Sequence, residues 1–99
     1  YVIIERGLRM GPKEIDLVAE DGETLVFVEV RGRRSDSFVS PLESVDAAKR
    51  RHLVEAAEIY FQRRGVRDQA CRFDVVSIVK AGGEAARVDH YPGAFMAGE

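Results

Sequence analysis

The most regular pattern in the sequence is an alternation of apolar and polar residues over positions 14–34. Such alternation is typical of β-strands, whose successive side chains point to opposite faces. Asp21 and Gly22 interrupt it and predict a two-residue hairpin turn, because glycine accepts the positive φ that these turns need. We therefore expect two antiparallel strands, with Glu20 paired to Glu23 across the turn.

That register determines which side chains of the hairpin share a face. It pairs Asp16 with Phe27 and Glu14 with Glu29, so Asp16 and Glu29 become diagonal neighbours. Their Cα atoms are then about 7–8 Å apart, which lets both carboxylates reach one ion. Arg31 lies on the same face. The opposite face is apolar and is expected to be core; it consists of Ile15, Leu17, Ala19, Val26, Val28 and Val30.

Three further strands are predicted outside the hairpin. Residues 1–9 begin with an apolar, β-branched run and form the first of them. Residues 72–80 and 86–91 form two more, separated by a turn that contains two glycines. Pro92 is expected to end the last strand, because proline has no N–H to donate to a neighbouring strand.

One helix is predicted between the hairpin and the last two strands. Apolar side chains recur at helical spacing over residues 46–64, with Ser44 or Asp46 as the N-cap and Gly65 as the C-terminal stop. The element order is therefore β-ββ-α-ββ. A helical crossover favours parallel strands, so we expect an α/β fold with a mixed sheet, in one domain that spans residues 1–99.

Charge is unevenly distributed, although the net charge is only −2. Residues 1–30 sum to −4, residues 31–72 to +4 and residues 73–99 to −2. A basic excess directly after an acidic hairpin suits a protein that binds a metal ion and a polyanion together, and ordinary solvated charge is the alternative. The sequence has no visible signal peptide and no apolar run long enough to span a membrane, so we expect no membrane partner. Cys71 is the only cysteine and is expected to be buried, which fits a cytoplasmic protein.

The charged face of the hairpin suggests a chemistry. Asp16, Glu29 and Glu14 offer the oxygen ligands that a hard cation such as Mg²⁺ prefers. Arg31 beside them can contact a phosphate or stabilise developing negative charge. Phosphodiester hydrolysis needs this combination of metal, activated water and cation. The alternative is a polar sheet face with cross-strand ion pairs, for instance Glu29 with Arg31.

Three runs of the sequence, taken together, resemble one known family. They are KEIDLVAEDGETLVFVEVRGRRSD, SPLESVDAAKRRHLVEAA and CRFDVVSIV, in that order. Together they resemble the YraN-like family of uncharacterised bacterial proteins, which is similar to archaeal Holliday-junction resolvases and belongs with the restriction-endonuclease-like, PD-(D/E)xK nucleases. The resemblance implies a restriction-endonuclease-like sheet flanked by helices, with the family's N-terminal helix missing here. It also implies a metal-dependent endonuclease that acts on DNA, including branched DNA.

Carried over to this sequence, the resemblance implies that Asp16 and Glu29 bind Mg²⁺ or Mn²⁺, with Glu14 matching a nearby family glutamate. Arg31 stands where the family usually has lysine, and there it would orient water and phosphate. The residues expected to bind DNA are Arg33, Arg34, Lys49, Arg50 and Arg51.

Two other functions remain open. Arginine stays charged and cannot act as a base, so Arg31 favours a nucleic-acid-binding module with weak or no catalysis as the second hypothesis. A small protein-interaction domain with a solvated charged face is the third. Symmetric cutting of a junction would suit a two-fold homodimer, which is therefore an expected assembly.

Overall fold

The structure is a computed structural model, and it describes residues 1–10, 13–34, 45–65, 69–80 and 87–95. In these ranges the chain forms one five-stranded sheet and one α-helix. The elements are β1 (Val2–Met10), β2 (Lys13–Asp21), β3 (Thr24–Arg34), α1 (Ala47–Arg64), β4 (Cys71–Lys80) and β5 (Arg87–Phe95).

The strands lie in the sheet in the order in which they occur in the chain, β1-β2-β3-β4-β5. β3 and β4 run parallel, from Leu25 opposite Cys71 to Arg34 opposite Lys80, and the other neighbours are antiparallel. The predicted element order, α/β class and mixed sheet are therefore confirmed, and the arrangement is consistent with a restriction-endonuclease-like fold. The parallel pair is central, so residues on it have neighbouring strands on both sides.

The hairpin turn lies one residue later than the sequence predicts. Gly22 takes a φ of 61° as the first turn residue, and Asp21 pairs with Thr24. The predicted pairing of Glu20 with Glu23 is wrong, because β2 continues through Asp21 and Gly22, which accepts a positive φ, takes the first turn position instead of the second. Each residue therefore faces a partner two positions away from the predicted one. An even displacement leaves the faces unchanged, as the pairing of Val18 with Phe27 shows.

The main core lies between the sheet and α1. Phe27 is at its centre, with its ring edge-on to Tyr60 and Phe61 and stacked on Phe73. We call this the helix-side core; its other buried members are Ile15, Val18, Leu25, Val45, Leu53, Ala56, Ala57, Val75 and Phe95. Since side chains alternate along β3, the face that carries Glu29 is the one that α1 covers.

The apolar face of the hairpin forms a smaller cluster on the far side of the sheet. Its buried members are Ala19, Val26 and Val28, with Leu17, Val30 and Val76 packed against them. Ile15 was expected on this face but packs in the helix-side core. Regular β2–β3 pairing begins only at Leu17, so the hairpin register on which the prediction rests does not reach Ile15.

The helix begins and ends as predicted. The Asp46 carboxylate accepts a hydrogen bond from the Lys49 backbone N–H at 2.9 Å, an N-cap worth about 1 kcal/mol. Gly65 adopts a φ of 66° and its N–H bonds back to the Gln62 carbonyl. Of the described residues, none belongs to a helix that is long and apolar enough to cross a membrane.

Two smaller expectations are wrong. β5 runs through Pro92 to Phe95, because the strand register shifts beside Asp74 and proline is tolerated where the ladder is interrupted. There the Gly93 N–H donates to the Asp74 carboxylate at 2.9 Å. Cys71 is exposed, because it is the first residue of β4 and burial in that strand begins two residues later.

Candidate functional site

Glu29 is the most buried carboxylate of the predicted site. It lies on β3 opposite Val75 of β4, and only 4 % of its surface is exposed. β4 holds its backbone on one side, regular pairing with β2 on the other side ends one residue earlier at Val28, and α1 covers its face. Its position is therefore well defined, and its charge is removed from most of the solvent.

Asp16 is half-buried where β2 and β3 separate. The last regular pair is Leu17 with Val28, and Asp16 and Glu29 are the next residues along the two strands. The Asp16 Oδ2 atom accepts a hydrogen bond from the Val30 backbone N–H at 2.8 Å. The carboxylate thus fills the place of a strand partner, and this bond holds it beside Glu29.

Burial and the negative charge of Asp16 both affect the pKa of Glu29. Burial raises the pKa of Glu29 above its ordinary value, and the negative charge of Asp16 raises it further. Lys49 and Arg31 act in the opposite direction but do not outweigh these effects. Ionised Glu29 is therefore stabilised less by its surroundings than by water, and an additional cation would be favourable there.

Two cations contact Glu29 from different elements. The Nη1 atom of Arg31, two residues further along β3, is 3.8 Å from Glu29 Oε1. The Nζ atom of Lys49, from the first turn of α1, is 3.6 Å from Glu29 Oε2. Both distances exceed those of a direct hydrogen bond, and about a third of each cationic side chain is exposed. These are loose ion pairs that a competing charge can rearrange.

The sequence reasoning assigns Lys49 to DNA binding, and the family resemblance further implies that the helix presents a residue to the site, but neither names the contact of Lys49 with Glu29. A signal for it exists in the topology. A helix that follows a strand and leads to its parallel neighbour begins near the carboxyl end of that strand, where open α/β sheets bind their ligands. Lys49, three residues after the N-cap Asp46, is therefore well placed to face the end of β3.

Glu14 is not brought together with the other two acids. Its side chain is exposed on β2, where its backbone pairs with Arg9 of β1. Among the described residues, no three histidine, cysteine, aspartate or glutamate side chains form a group that could hold a metal ion. The carboxylates that the structure places together are Asp16 and Glu29.

The predicted DNA-binding residues have different surroundings. Arg50 Nε donates to the Val45 carbonyl at 3.0 Å, and its guanidinium lies 5.4 Å from the centre of the Phe95 ring, so Arg50 helps hold α1 on the sheet. Arg51 is exposed on α1. The remaining two, Arg33 and Arg34, continue β3 opposite Val79 and Lys80, and their side chains lie outside the described part of the structure.

Ser77 is a site residue that the sequence reasoning missed. It lies directly opposite Arg31 on β4, on the same face as Val75 and Val79, and is completely buried. Its Oγ atom has no hydrogen-bond partner among the described residues. A buried hydroxyl without a hydrogen-bond partner lowers the stability of the fold by about 1–3 kcal/mol. A water molecule or a ligand oxygen beside it would therefore be stabilising. Only the three-dimensional register places it next to Arg31.

Comparison with known proteins identifies the family. Residues 1–78 match the uncharacterised protein family UPF0102. A UPF0102 protein of Hahella chejuensis is 47% identical over 76 residues, which is 77% of this chain and 61% of that protein. One of Symbiobacterium thermophilum is 49% identical over 78 residues, which is 79% of this chain and 66% of that protein. One of Geobacter sulfurreducens is 41% identical over 95 residues, which is 96% of this chain and 74% of that protein.

The chain thus spans slightly less than two thirds of the length of the first two relatives. The names of these relatives state no activity, and the family itself is uncharacterised. The predicted resemblance to this bacterial family is confirmed. The chain belongs to the uncharacterised protein family UPF0102, the YraN family.

Proposed function

We propose that this chain is the nuclease-like part of a divalent-metal-dependent DNA endonuclease. The observation that supports this most strongly is the pair of adjacent carboxylates, Asp16 and Glu29, with the pKa of Glu29 raised by burial and by its neighbour. Two acids placed together under a helix are costly unless a cation compensates for them. A protein that needed only stability would gain from an apolar or amide side chain here.

The residues of the site fit Mg²⁺ or Mn²⁺. Both ions prefer oxygen ligands, and Mg²⁺ keeps several waters and needs only one or two carboxylates. Asp16 and Glu29 would supply these, and the buried Ser77 hydroxyl offers a further oxygen on the same face. When bound, the ion would polarise the phosphodiester and acidify a water molecule.

The other groups of the site suit a polyanionic substrate. Arg31 is about one third exposed beside the carboxylate pair, so its guanidinium can contact a phosphate oxygen. Lys49 and Arg51 lie at the N-terminus of α1, where the helix dipole and free backbone N–H groups also favour anions. We propose that DNA passes over this end of the helix. Branched DNA is proposed on the family resemblance, a cytoplasmic location on the sequence pattern, and a two-fold homodimer on the symmetry of junction cutting.

A DNA-binding module without turnover is the second candidate, and Arg31 is what favours it. Arginine holds phosphate well but keeps its proton, whereas a lysine in that place can exchange one. In this case the acidic pair would bind a metal ion that anchors DNA without cutting it.

The two candidates are separated by a cleavage assay on a four-way junction and a matched linear duplex, with Mn²⁺. The nuclease cuts, and Asp16→Asn abolishes cutting while keeping an oxygen that accepts the Val30 N–H. The matched control Glu58→Gln, an exposed acid on α1, retains full activity. Salt-sensitive binding with no cleavage supports the binding module. An absence of DNA binding at low salt contradicts both and favours a protein-interaction domain.

A further inference from the structure

Lys49 has a role that DNA binding does not explain. Its Nζ atom faces the buried Glu29 carboxylate at 3.6 Å, although Arg31 already lies 3.8 Å from the other oxygen of the same carboxylate. Two cations therefore face one acid that is also the proposed metal ligand. A bound divalent ion at Asp16 and Glu29 would compete with both of them.

We propose that Lys49 is a movable counterion, which neutralises Glu29 in the metal-free site and swings to the scissile phosphate when a divalent cation takes its place. This inference rests on the proposed function, since it names the group that completes the same site. It assigns to α1 a movable cation of the site, beside the Arg31 guanidinium on β3.

The geometry separates a fixed backbone from a movable ammonium group. The Lys49 backbone N–H is held by the Asp46 carboxylate at 2.9 Å, so the start of the side chain is anchored at the helix terminus. The ammonium group is not in hydrogen-bond contact with Glu29, and 35 % of the side chain is exposed. A lysine stem has four flexible carbons, so the charge can move by several ångströms without any change in the helix.

Electrostatics gives the direction of this movement. Two positive groups that share one carboxylate repel each other more strongly as the environment becomes less polar. A divalent ion at Glu29 would therefore displace Lys49. A phosphate bound to that ion carries negative charge, and the adjacent helix N-terminus favours it further. Lys49 is then drawn toward the substrate.

Arg50, the neighbouring cation on α1, is not suited to this role. Its guanidinium is already engaged with the Val45 carbonyl and the Phe95 ring. Moving it would remove contacts that hold the helix on the sheet. Among the described helix residues, Lys49 is the one whose charge reaches Glu29.

The test measures Mn²⁺ affinity without DNA, by calorimetric titration, and cleavage kinetics with DNA. We expect Lys49→Met, which keeps the stem and removes the charge, to bind Mn²⁺ about fivefold more tightly than the wild type. Its kcat on the junction should fall about a hundredfold, with a small change in KM. Lys49→Arg should restore the wild-type Mn²⁺ affinity and only part of kcat.

Arg63→Met is the matched control, because Arg63 is exposed in the last turn of the same helix. It should change neither quantity. Unchanged or weaker Mn²⁺ binding by Lys49→Met overturns the inference, and so does an unchanged kcat. If the wild type binds Mn²⁺ but cleaves nothing, the proposed nuclease function fails, while tighter binding by Lys49→Met still supports the counterion role. If the wild type binds no Mn²⁺, both fail.

Discussion

Two buried carboxylates on the central parallel strands have opposite surroundings. Asp74 of β4 is completely buried and Glu29 of β3 is 4 % exposed. Burial alone would raise the pKa of Asp74, but hydrogen bonds from Arg72, the Gly93 N–H, His90 and Tyr1 reverse this and lower it. The pKa of Glu29 is raised by the same burial and by Asp16, and its two cations do not reverse it.

The contacts explain the difference. The Asp74 oxygens accept from Arg72 Nε at 2.9 Å, from Gly93 N at 2.9 Å and from the Tyr1 hydroxyl at 3.0 Å, and His90 Nε2 lies at 2.6 Å. Arg72 also donates to the Tyr1 hydroxyl and stacks on its ring. The Asp74 charge is therefore satisfied within the protein, and these contacts give the residue a structural role.

Within the described part of the chain, the cations around Glu29 lie at 3.6 and 3.8 Å, next to a second acid. A buried charge with this little compensation weakens the fold. Such a loss of stability is common where function requires the destabilising residue. The comparison teaches that burial alone does not distinguish these two carboxylates, whereas the compensation of their charge does.

The largest effect is expected at Asp74. Asp74→Asn removes the charge that Arg72 and His90 face, and it leaves their donors without an ionised partner. We expect a loss of about 3 kcal/mol in the free energy of unfolding, measured by urea denaturation at pH 7. A loss no larger than that of the exposed-acid variant Glu58→Gln would show that the Asp74 network is not stabilising.

The same network should appear in the pH dependence of stability. Because the pKa of Asp74 is lowered in the folded state, its contribution is present above its ordinary value of 3.8 and is lost as pH falls through the folded value. We expect the stability difference between wild type and Asp74→Asn to shrink in acid below pH 3.8. A difference that stays constant from pH 7 to acid would contradict this assignment.

The effect of Glu29→Gln on the free energy of unfolding should have the opposite sign. A raised pKa means that the folded state holds the ionised form poorly, so the amide should stabilise the fold by about 1 kcal/mol at pH 7. The gain should disappear below the ordinary pKa of 4.5, where wild-type Glu29 is protonated in both states. Urea denaturation at both pH values measures this, and destabilisation at pH 7 would mean that its ion pairs compensate fully.

The smallest effect concerns the coupling of the two acids. Asp16→Asn removes one of the causes that raise the pKa of Glu29 and should lower that pKa. Burial, the largest of the causes that raise this pKa, is unchanged by the substitution. Carboxyl ¹³C NMR of Glu29 over a pH series measures this pKa directly. An unchanged pKa would show that Asp16 is not close enough to share an ion with Glu29.

Much of the fold follows from local patterns. Alternation, the Gly22 turn signal and helical spacing correctly predict the element order and the mixed sheet. The pairing register does not follow, because a turn placed one residue away leaves the same pattern on each face. The register depends on which turn position Gly22 occupies, and the two-position error preserved the faces of Asp16 and Glu29.

Less of the site can be predicted from the sequence, because the site depends on contacts between segments that are distant in the chain. Asp16 and Glu29 were found by face sharing and by family resemblance. The approach of Lys49 from α1 and of Ser77 from β4 depends on helix docking and on the parallel register. Pro92 shows the same limit in the fold, since the bulge that tolerates it is held by Asp74, a residue 18 positions earlier in the sequence.

The most direct test of the central claim is the stability of the protein against urea as Mn²⁺ is added. If Asp16 and Glu29 form a metal site, the wild type should gain about 2.7 kcal/mol when Mn²⁺ reaches a hundred times its dissociation constant. Glu29→Gln should gain almost nothing, and Glu58→Gln should gain as much as the wild type. An equal gain in all three proteins, or none in the wild type, would contradict the account.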